Sequence, residues 1–351
     1  MCFSIRGLIA VGMAWWQPHS FQPRLPLLKL RQQVISATRA YFDSCGFHEV
    51  ETPALQTSPG LEPHIMAFHT VLENHDGSPR QKMYLHTSPE FAMKKLLVAG
   101  AGNIYQICNT FRNRENSPTH SPEFSMIEWY RTGANYWAIM DDCVQLLRGV
   151  ATACKIQLYR YKGKISNPFS VWQVISVADA FRQYCKINLL DTVGDAAALR
   201  AEATRIGVRT DDGDNWDDIF FRIMGERIEP YLGTPAPTLL YDYPAHMAAL
   251  SKIKESDPRV AERVEVYVCG LELANGFSEL TNAAQQRARF EADMDYKEQT
   301  YGFRYPIDED FIAALETGLP ECSGIALGMD RLVMLATGAE NINDILWAPV
   351  A

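Results

Sequence analysis

Apolar residues at Leu30, Val34, Ile35, Ala37, Tyr41 and Phe42 recur at helical spacing and predict a helix over 28–45, closed by Gly46. FHEVETP then reads as a short strand stopped by Pro53. Residues 54–80 carry loop signals with fragments of strand. MYLHTSPE opens as a strand, and Thr87 or Ser88 is placed to cap a helix over 90–98 with Pro89 in its first turn. Two further runs, NIYQICNTFR and FSMIEWYR, predict a hairpin across the connection 113–122. Helical periodicity returns at 134–154 through Trp137, Met140, Val144 and Leu147, and again over 170–230. TLLYDYP reads as a strand, VEVYVCGLELANGF as a strand pair turning near Gly270, and 284–296 as a helix. Near the end, CSGIALGMDRLVMLATG is a glycine-bearing strand running into a helix.

Strands thus come in adjacent pairs with helices grouped between them. That order predicts an α+β fold, an antiparallel sheet flanked by helices, rather than a βαβ array. No G-x-G-x-x-G follows a first strand and no P-loop motif occurs, so the Rossmann and P-loop readings lack their usual evidence. The expected organisation is a flexible N-terminal segment, 1–24, then one domain over 25–351 in which 155–235 is a helical insertion. Within the insertion, DDGDNWDD lacks EF-hand spacing and the closing glutamate, and reads as a solvated loop. The N-terminal apolar stretch is broken by Arg6, lacks a clear signal-peptide architecture and is too short to span a membrane. Met13 is an alternative start to Met1.

With 351 residues, 47% of them hydrophobic and 21% charged, the chain has a soluble globular composition and length for a large core. Its net charge of -9 argues against a protein that grips nucleic acid mainly through phosphates. Eight cysteines are scattered without any C-x-x-C pair, which removes zinc-ribbon and thioredoxin-type readings and makes a reducing cytoplasm the simplest compartment.

Three clusters carry candidate chemistry. In FRNRENSPTHSPEFSMIEWY, Arg112 and Arg114 sit two apart and would leave one strand face, where guanidinium groups can grip phosphate oxygens; Phe124 and Trp129 lie on the facing segment, able to stack on a purine. Solvated arginines answering Glu115 and Glu123 satisfy the same pattern. In VEVYVCGLELANGFSEL, a turn at Gly270 can bring Glu265 and Glu272 together, and two close carboxylates call for a cation of the Mg²⁺ type; Glu279 follows, needing a positive partner if buried. Three surface glutamates are the plainer alternative. In GIALGMDR, small residues allow a ligand to approach the backbone before Arg331 opens a helix, although a core strand with a salt-bridged arginine would look alike.

In this order the clusters resemble a known family. FHEVETP looks like motif 1 of the class II aminoacyl-tRNA synthetases, Arg112 through Phe124 like motif 2, and GIALGMDR like motif 3. TSPE, EWY and ELANGFSEL narrow the resemblance to the lysyl branch. It implies a homodimer formed through motif 1, with ATP bent over the sheet. Arg112 would hold the α-phosphate, Phe124 would stack on adenine and Arg331 would brace the far end of the nucleotide, making the two arginines the catalytic pair. Asn113, Arg114, His120, Ser121, Leu273 and Gly328 would complete the nucleotide site, and Glu265 and Glu272 would share Mg²⁺. Glu279 and Tyr130 would take the terminal ammonium of a lysine-like acid, with Glu90, Glu128 and Asn275 near its other amino group and carboxylate. Ser88, Pro89, Phe277 and Ala326 would line the same pocket. The implied reaction is attack of the carboxylate on the α-phosphate, giving an aminoacyl-adenylate and pyrophosphate.

Three departures refine the resemblance. The motif 1 helix begins near residue 28, which leaves no room for the anticodon-reading OB-fold of a lysyl synthetase. Arg114 stands at the motif 2 glutamate position, and Ala326 where lysyl synthetases carry glycine. All three agree with the truncated lysyl-synthetase paralogues, which the chain also resembles in length, in WQP (16–18) and in SGIALG. That likeness implies (R)-β-lysine as the activated acid and a lysine side chain of elongation factor P as acceptor. A tRNA ligase without an anticodon module is the first rival, disfavoured by the acidic charge. A non-catalytic regulator is the second, opposed by the presence of Arg112, Glu265, Glu272 and Arg331.

Overall fold

A computed structural model describes residues 14–248 and 250–350. Its helices and strands, in chain order, are α1 (Pro18–Phe21), α2 (Leu25–Ser44), β1 (His48–Glu49), β2 (Leu55–Gln56), β3 (His69–Glu73), β4 (Pro79–Leu85), α3 (Glu90–Val98), β5 (Ile104–Phe111), β6 (Glu123–Thr132) and α4 (Tyr136–Ala153). There follow β7 (Tyr159–Tyr161), β8 (Lys164–Ser166), β9 (Gln173–Ser176), α5 (Val177–Ala180), α6 (Ala196–Arg205), α7 (Trp216–Ile223) and β10 (Thr238–Pro244). The chain closes with β11 (Val260–Val268), β12 (Leu271–Ser278), α8 (Ala283–Tyr301), α9 (Glu309–Gly318), β13 (Cys322–Gly328) and α10 (Met329–Thr337).

Eight strands form the main sheet in the order β1-β5-β6-β13-β12-β11-β10-β9. The predicted hairpins are there: β5 pairs antiparallel with β6, and β11 with β12 across Cys269 and Gly270. Both turn residues have positive φ, 55° and 77°, as a two-residue hairpin whose twist matches its strands requires. The sheet is antiparallel only in its centre. At the edges β1 runs parallel to β5 and β9 parallel to β10, which corrects the fully antiparallel expectation.

One face of the sheet buries Tyr105, Ile127, Trp129, Ile325 and Leu327 against α2, α4 and α10. A second core joins α3, α8 and α9 through Phe91, Phe290 and Phe311. A third, around Phe181, Trp216 and Phe220, belongs to the insertion. That insertion is not purely helical: it contains the β7–β8 hairpin and the sheet's own edge strand β9. Its acidic loop serves the fold, with Arg222 bridging Asp211 and Asp214 at 2.6 and 2.8 Å and Asn215 and Asp218 closing a capping box on α7.

Residues 1–13 lie outside the described residues, as does the choice between Met1 and Met13. Residues 18–24 of the segment expected to be flexible are helical turns leading into α2, and Arg24 Nε donates to the Asp344 carbonyl at 3.3 Å. On α2 itself, Arg31 is buried against Asp330, the second residue of α10, and its Nη2 donates to Ser125 Oγ at 2.8 Å. Asp330 also accepts the Ser125 N–H at 2.8 Å. Removing one member of such a buried pair typically costs about 3–5 kcal/mol, because the other is left uncompensated.

Candidate active site

Strand alternation puts the candidate residues on the sheet face opposite the α2–α4 core. The register aligns them in rows. Tyr130, Gly324, Phe277 and Arg263 stand side by side across four strands, and Glu128, Ala326, Asn275 and Glu265 form the next row. A cleft of about 300 Å³ runs over these rows. Its floor requires glycine: a Cβ on Gly324 would lie 2.2 Å from the Tyr130 ring and 2.6 Å from Glu279 Oε1.

At one end, Arg112 follows β5. Its Nε donates to the Thr87 carbonyl at 3.4 Å and its guanidinium lies 5.2 Å from the centre of the Phe124 ring. Arg331 donates through Nη1 to the Glu272 carbonyl and through Nη2 to His120 Nε2, each at 2.7 Å. Burial and the adjacent Arg331 hold the His120 pKa below its ordinary value, which keeps the ring neutral and accepting. Ser121, Leu273 and Gly328 line the same end. Glu272 opens onto the cleft, yet the surrounding protein and the facing Glu265 push its carboxyl up to about 7. Glu265 stands behind it, bonded to Arg263 Nη2 at 2.7 Å and Tyr267 Oη at 2.8 Å.

At the other end the carboxylates are buried. Ser88 Oγ donates to Glu128 Oε1 at 2.5 Å and Tyr130 Oη to Glu128 Oε2 at 3.1 Å. Burial and Glu90 push Glu128 up to about 8. Burial also lifts Glu279 to about 8, against the opposing pull of Lys94. Glu279 Oε1 is a buried acceptor without a hydrogen-bond partner, and its chemistry suits an ammonium donor. Asn275, Phe277 and Ala326 line the slot between the two ends.

Several expectations need correction. β5 ends at Phe111 and Arg114 has a left-handed φ of 69°, so the two arginines do not share a strand face. Arg114 is exposed and, like Asn113, lies off the cleft wall; Asn113 Oδ1 accepts the Arg114 N–H at 2.9 Å. Pro89 faces a small adjoining cavity with Gln56 and Ser58. Glu265 is a neighbour of the cleft rather than part of its lining. The first residue before α3 is Pro89 itself, with Ser88 Oγ accepting the Glu90 N–H at 3.1 Å.

This geometry can be set beside known proteins. The family model for class II tRNA synthetases of the D, K and N type matches residues 23–350. The chain belongs to this family. Among this class II synthetase's relatives, a protein named elongation factor P–(R)-β-lysine ligase from Proteus mirabilis is 39% identical over 340 residues, covering 96% of this chain and 98% of that one. Proteins of the same name from Pectobacterium atrosepticum and Klebsiella pneumoniae are 39% and 38% identical over 336 residues, covering 96% and 97% of their lengths.

Sequence reasoning missed two residues that line the cleft, Arg263 and Glu62, and one packed behind its acidic end, Lys94. Lys94 lies one helical turn after Glu90, a spacing that signals an ion pair. Arg263 precedes Glu265 by two, so strand alternation puts both on one face. Glu62 comes from an irregular loop that carries no pattern; burial and Glu90 raise its pKa. Lys297 holds that loop by donating to the Pro63 and Ile65 carbonyls at 2.7 and 2.8 Å.

Proposed function

We propose that the chain uses ATP to activate a diamino acid of the (R)-β-lysine type as its adenylate, and then transfers the acyl group to a lysine side chain of elongation factor P. One observation carries this reading. A buried acidic slot, built by Glu90, Glu128, Tyr130 and Glu279, opens into the same cleft as Arg112 and Arg331. Relatives that match over nearly their whole length bear the name of that reaction and support the choice of acid and acceptor.

In the first step a carboxylate oxygen of the acid forms a bond to the α-phosphorus and the bond to pyrophosphate breaks. Arg112 stabilises charge on the α-phosphate, Phe124 supports the adenine, and Arg331 steadies the far phosphates. Positioning and fixed positive charge are what such a displacement needs. In the second step the acceptor amine attacks the acyl carbon, AMP leaves, and a proton is released to solvent as the amide forms. The slot holds the acid by its ammonium groups throughout.

Glu272 opens onto the cleft and Glu265 stands behind it, held by Arg263 and Tyr267, so the two carboxylates offer hard oxygen donors on the side of the cleft where Arg331 lies. They would hold Mg²⁺, whose chemistry is to offset phosphate charge. A dimer formed through α2 and β1 belongs to the same proposal, as does a reducing cytoplasm, supported by the free thiols of the described cysteines. Among the described residues no helix is long and apolar enough to cross a membrane.

Incubation with ATP and labelled (R)-β-lysine, in parallel with elongation factor P and with bulk tRNA, tests the reading. Label is expected on the factor alone. Labelling of tRNA instead, or of neither, would overturn the assignment.

A further inference from the structure

The acidic slot already contains an ammonium group. Lys94 Nζ sits between Glu90, on its own helix, and Glu279 Oε2, 2.5 Å away, with the Phe277 ring centre at 5.4 Å. Its side chain is only 1% exposed. Burial alone would lower the pKa of this lysine, but Glu279 and Glu90 outweigh it and hold the group charged. Glu128 completes a set of three carboxylates around one lysine. An unbalanced charge is costly in such a place, so the count decides what binds. With all three ionised, as a dicationic ligand would favour, three negative groups less one positive leave two unanswered. Glu62, from the neighbouring loop, is set against Arg112 and Lys297 as well as Glu90 and stands outside that count.

We propose that Lys94 is a positioning residue that sets this count: it neutralises one carboxylate, fixes Glu90 and Glu279 relative to each other, and thereby tunes the slot to acids carrying two ammonium groups. The inference rests on the reading of the cleft as a diamino acid site and adds what fixes the number of charges. Phe277 supports the role, because a ring face beside the ammonium favours its charged form. The free oxygen of Glu279 is then left for the ligand, since Lys94 occupies the other.

Calorimetric titration of the full chain with (R)-β-lysine and with ATP tests this. Lys94→Met, which keeps the bulk and removes the charge, is expected to weaken (R)-β-lysine binding at least tenfold and ATP binding less than twofold. Lys94→Ala is expected to regain affinity in ethylammonium and not in ethanol. Should these buried-site variants fail to fold, the wild-type protein carries the decision. It is expected to bind (R)-β-lysine at least tenfold more tightly than 3-aminohexanoate, which lacks the terminal ammonium. Unchanged affinity in Lys94→Met, equal losses for both ligands, rescue by ethanol, or equal wild-type affinity for the two acids would each overturn the proposal. Pyrophosphate exchange separates this outcome from the functional reading: tight diamino acid binding without exchange breaks the proposed reaction and leaves the charge count standing.

Discussion

At one end of the cleft, Arg112 and Arg331 are held by backbone carbonyls, an aromatic ring and a neutral histidine, with Glu115 no nearer to Arg112 than 3.9 Å. At the other end, Glu90, Glu128 and Glu279 crowd around a single lysine. The first arrangement keeps positive charge available to an anion. The second is short of cations, and its carboxyls hold protons that ordinary carboxyls release. Both ends are preorganised, but they respond to different perturbations, and this allows them to be told apart.

The largest effect is expected from Arg112→Ala. Loss of a phosphate-directed donor should lower the rate of adenylate formation by about 10²–10³-fold, with (R)-β-lysine affinity retained. Rapid-quench measurement of adenylate, beside calorimetry, checks this; a matching loss of amino acid affinity would merge the two ends. Glu279→Ala should do the reverse, reducing activation by about 100-fold through amino acid binding, with ATP affinity within a few-fold. Equal damage to both ligands would show that this carboxylate has been misplaced.

Ala326→Gly should sharpen the comparison within the amino-acid end. Ala326 lies between Glu128 and Asn275 in one row, so on the proposed reading its methyl would meet the acid near its amino group. Removing the methyl should favour α-lysine over (R)-β-lysine by about 10-fold in pyrophosphate exchange. An unchanged preference would assign the discrimination elsewhere.

The smallest effect is the dependence on pH. Glu128 and Glu279 are raised from 4.5 to about 8, so the folded protein binds protons that the unfolded chain has lost. Stability of the free protein should therefore fall as pH rises from about 4.5 to 8. A diammonium ligand meets the ionised carboxyls, so its affinity should rise several-fold between pH 6 and 8 as the protons leave. Melting curves and titrations across that range check both slopes. Parallel trends for ATP, or flat ones for the acid, would dissolve the contrast.

Much of this was legible in the sequence for identifiable reasons. The central strands are long enough for alternation to show; Glu128 and Tyr130, named by the family resemblance, lie two apart on β6 and so share a face. The parallel edges were not legible, since β1 has two residues and β9 four, too few for any period. Arg114 was misjudged because the strand stops where its backbone turns left-handed, which a run of polar residues does not reveal. Lys94 was hidden by its type. A lysine in a short helix reads as solvent-facing until the tertiary fold brings Glu279 to it.

The double anchorage of Asp330 has a mechanical consequence. One carboxylate ties the long helix α2, through Arg31, to the start of β6, through the Ser125 amide. Phe124 precedes Ser125 and Arg331 follows Asp330, so the aromatic shelf and the distal guanidinium are geared to the same rod. A shift of α2 would therefore bear on both positions through Asp330, outside the slot. Neutralising that joint with Asp330→Asn should slacken the shelf before it empties the acidic pocket.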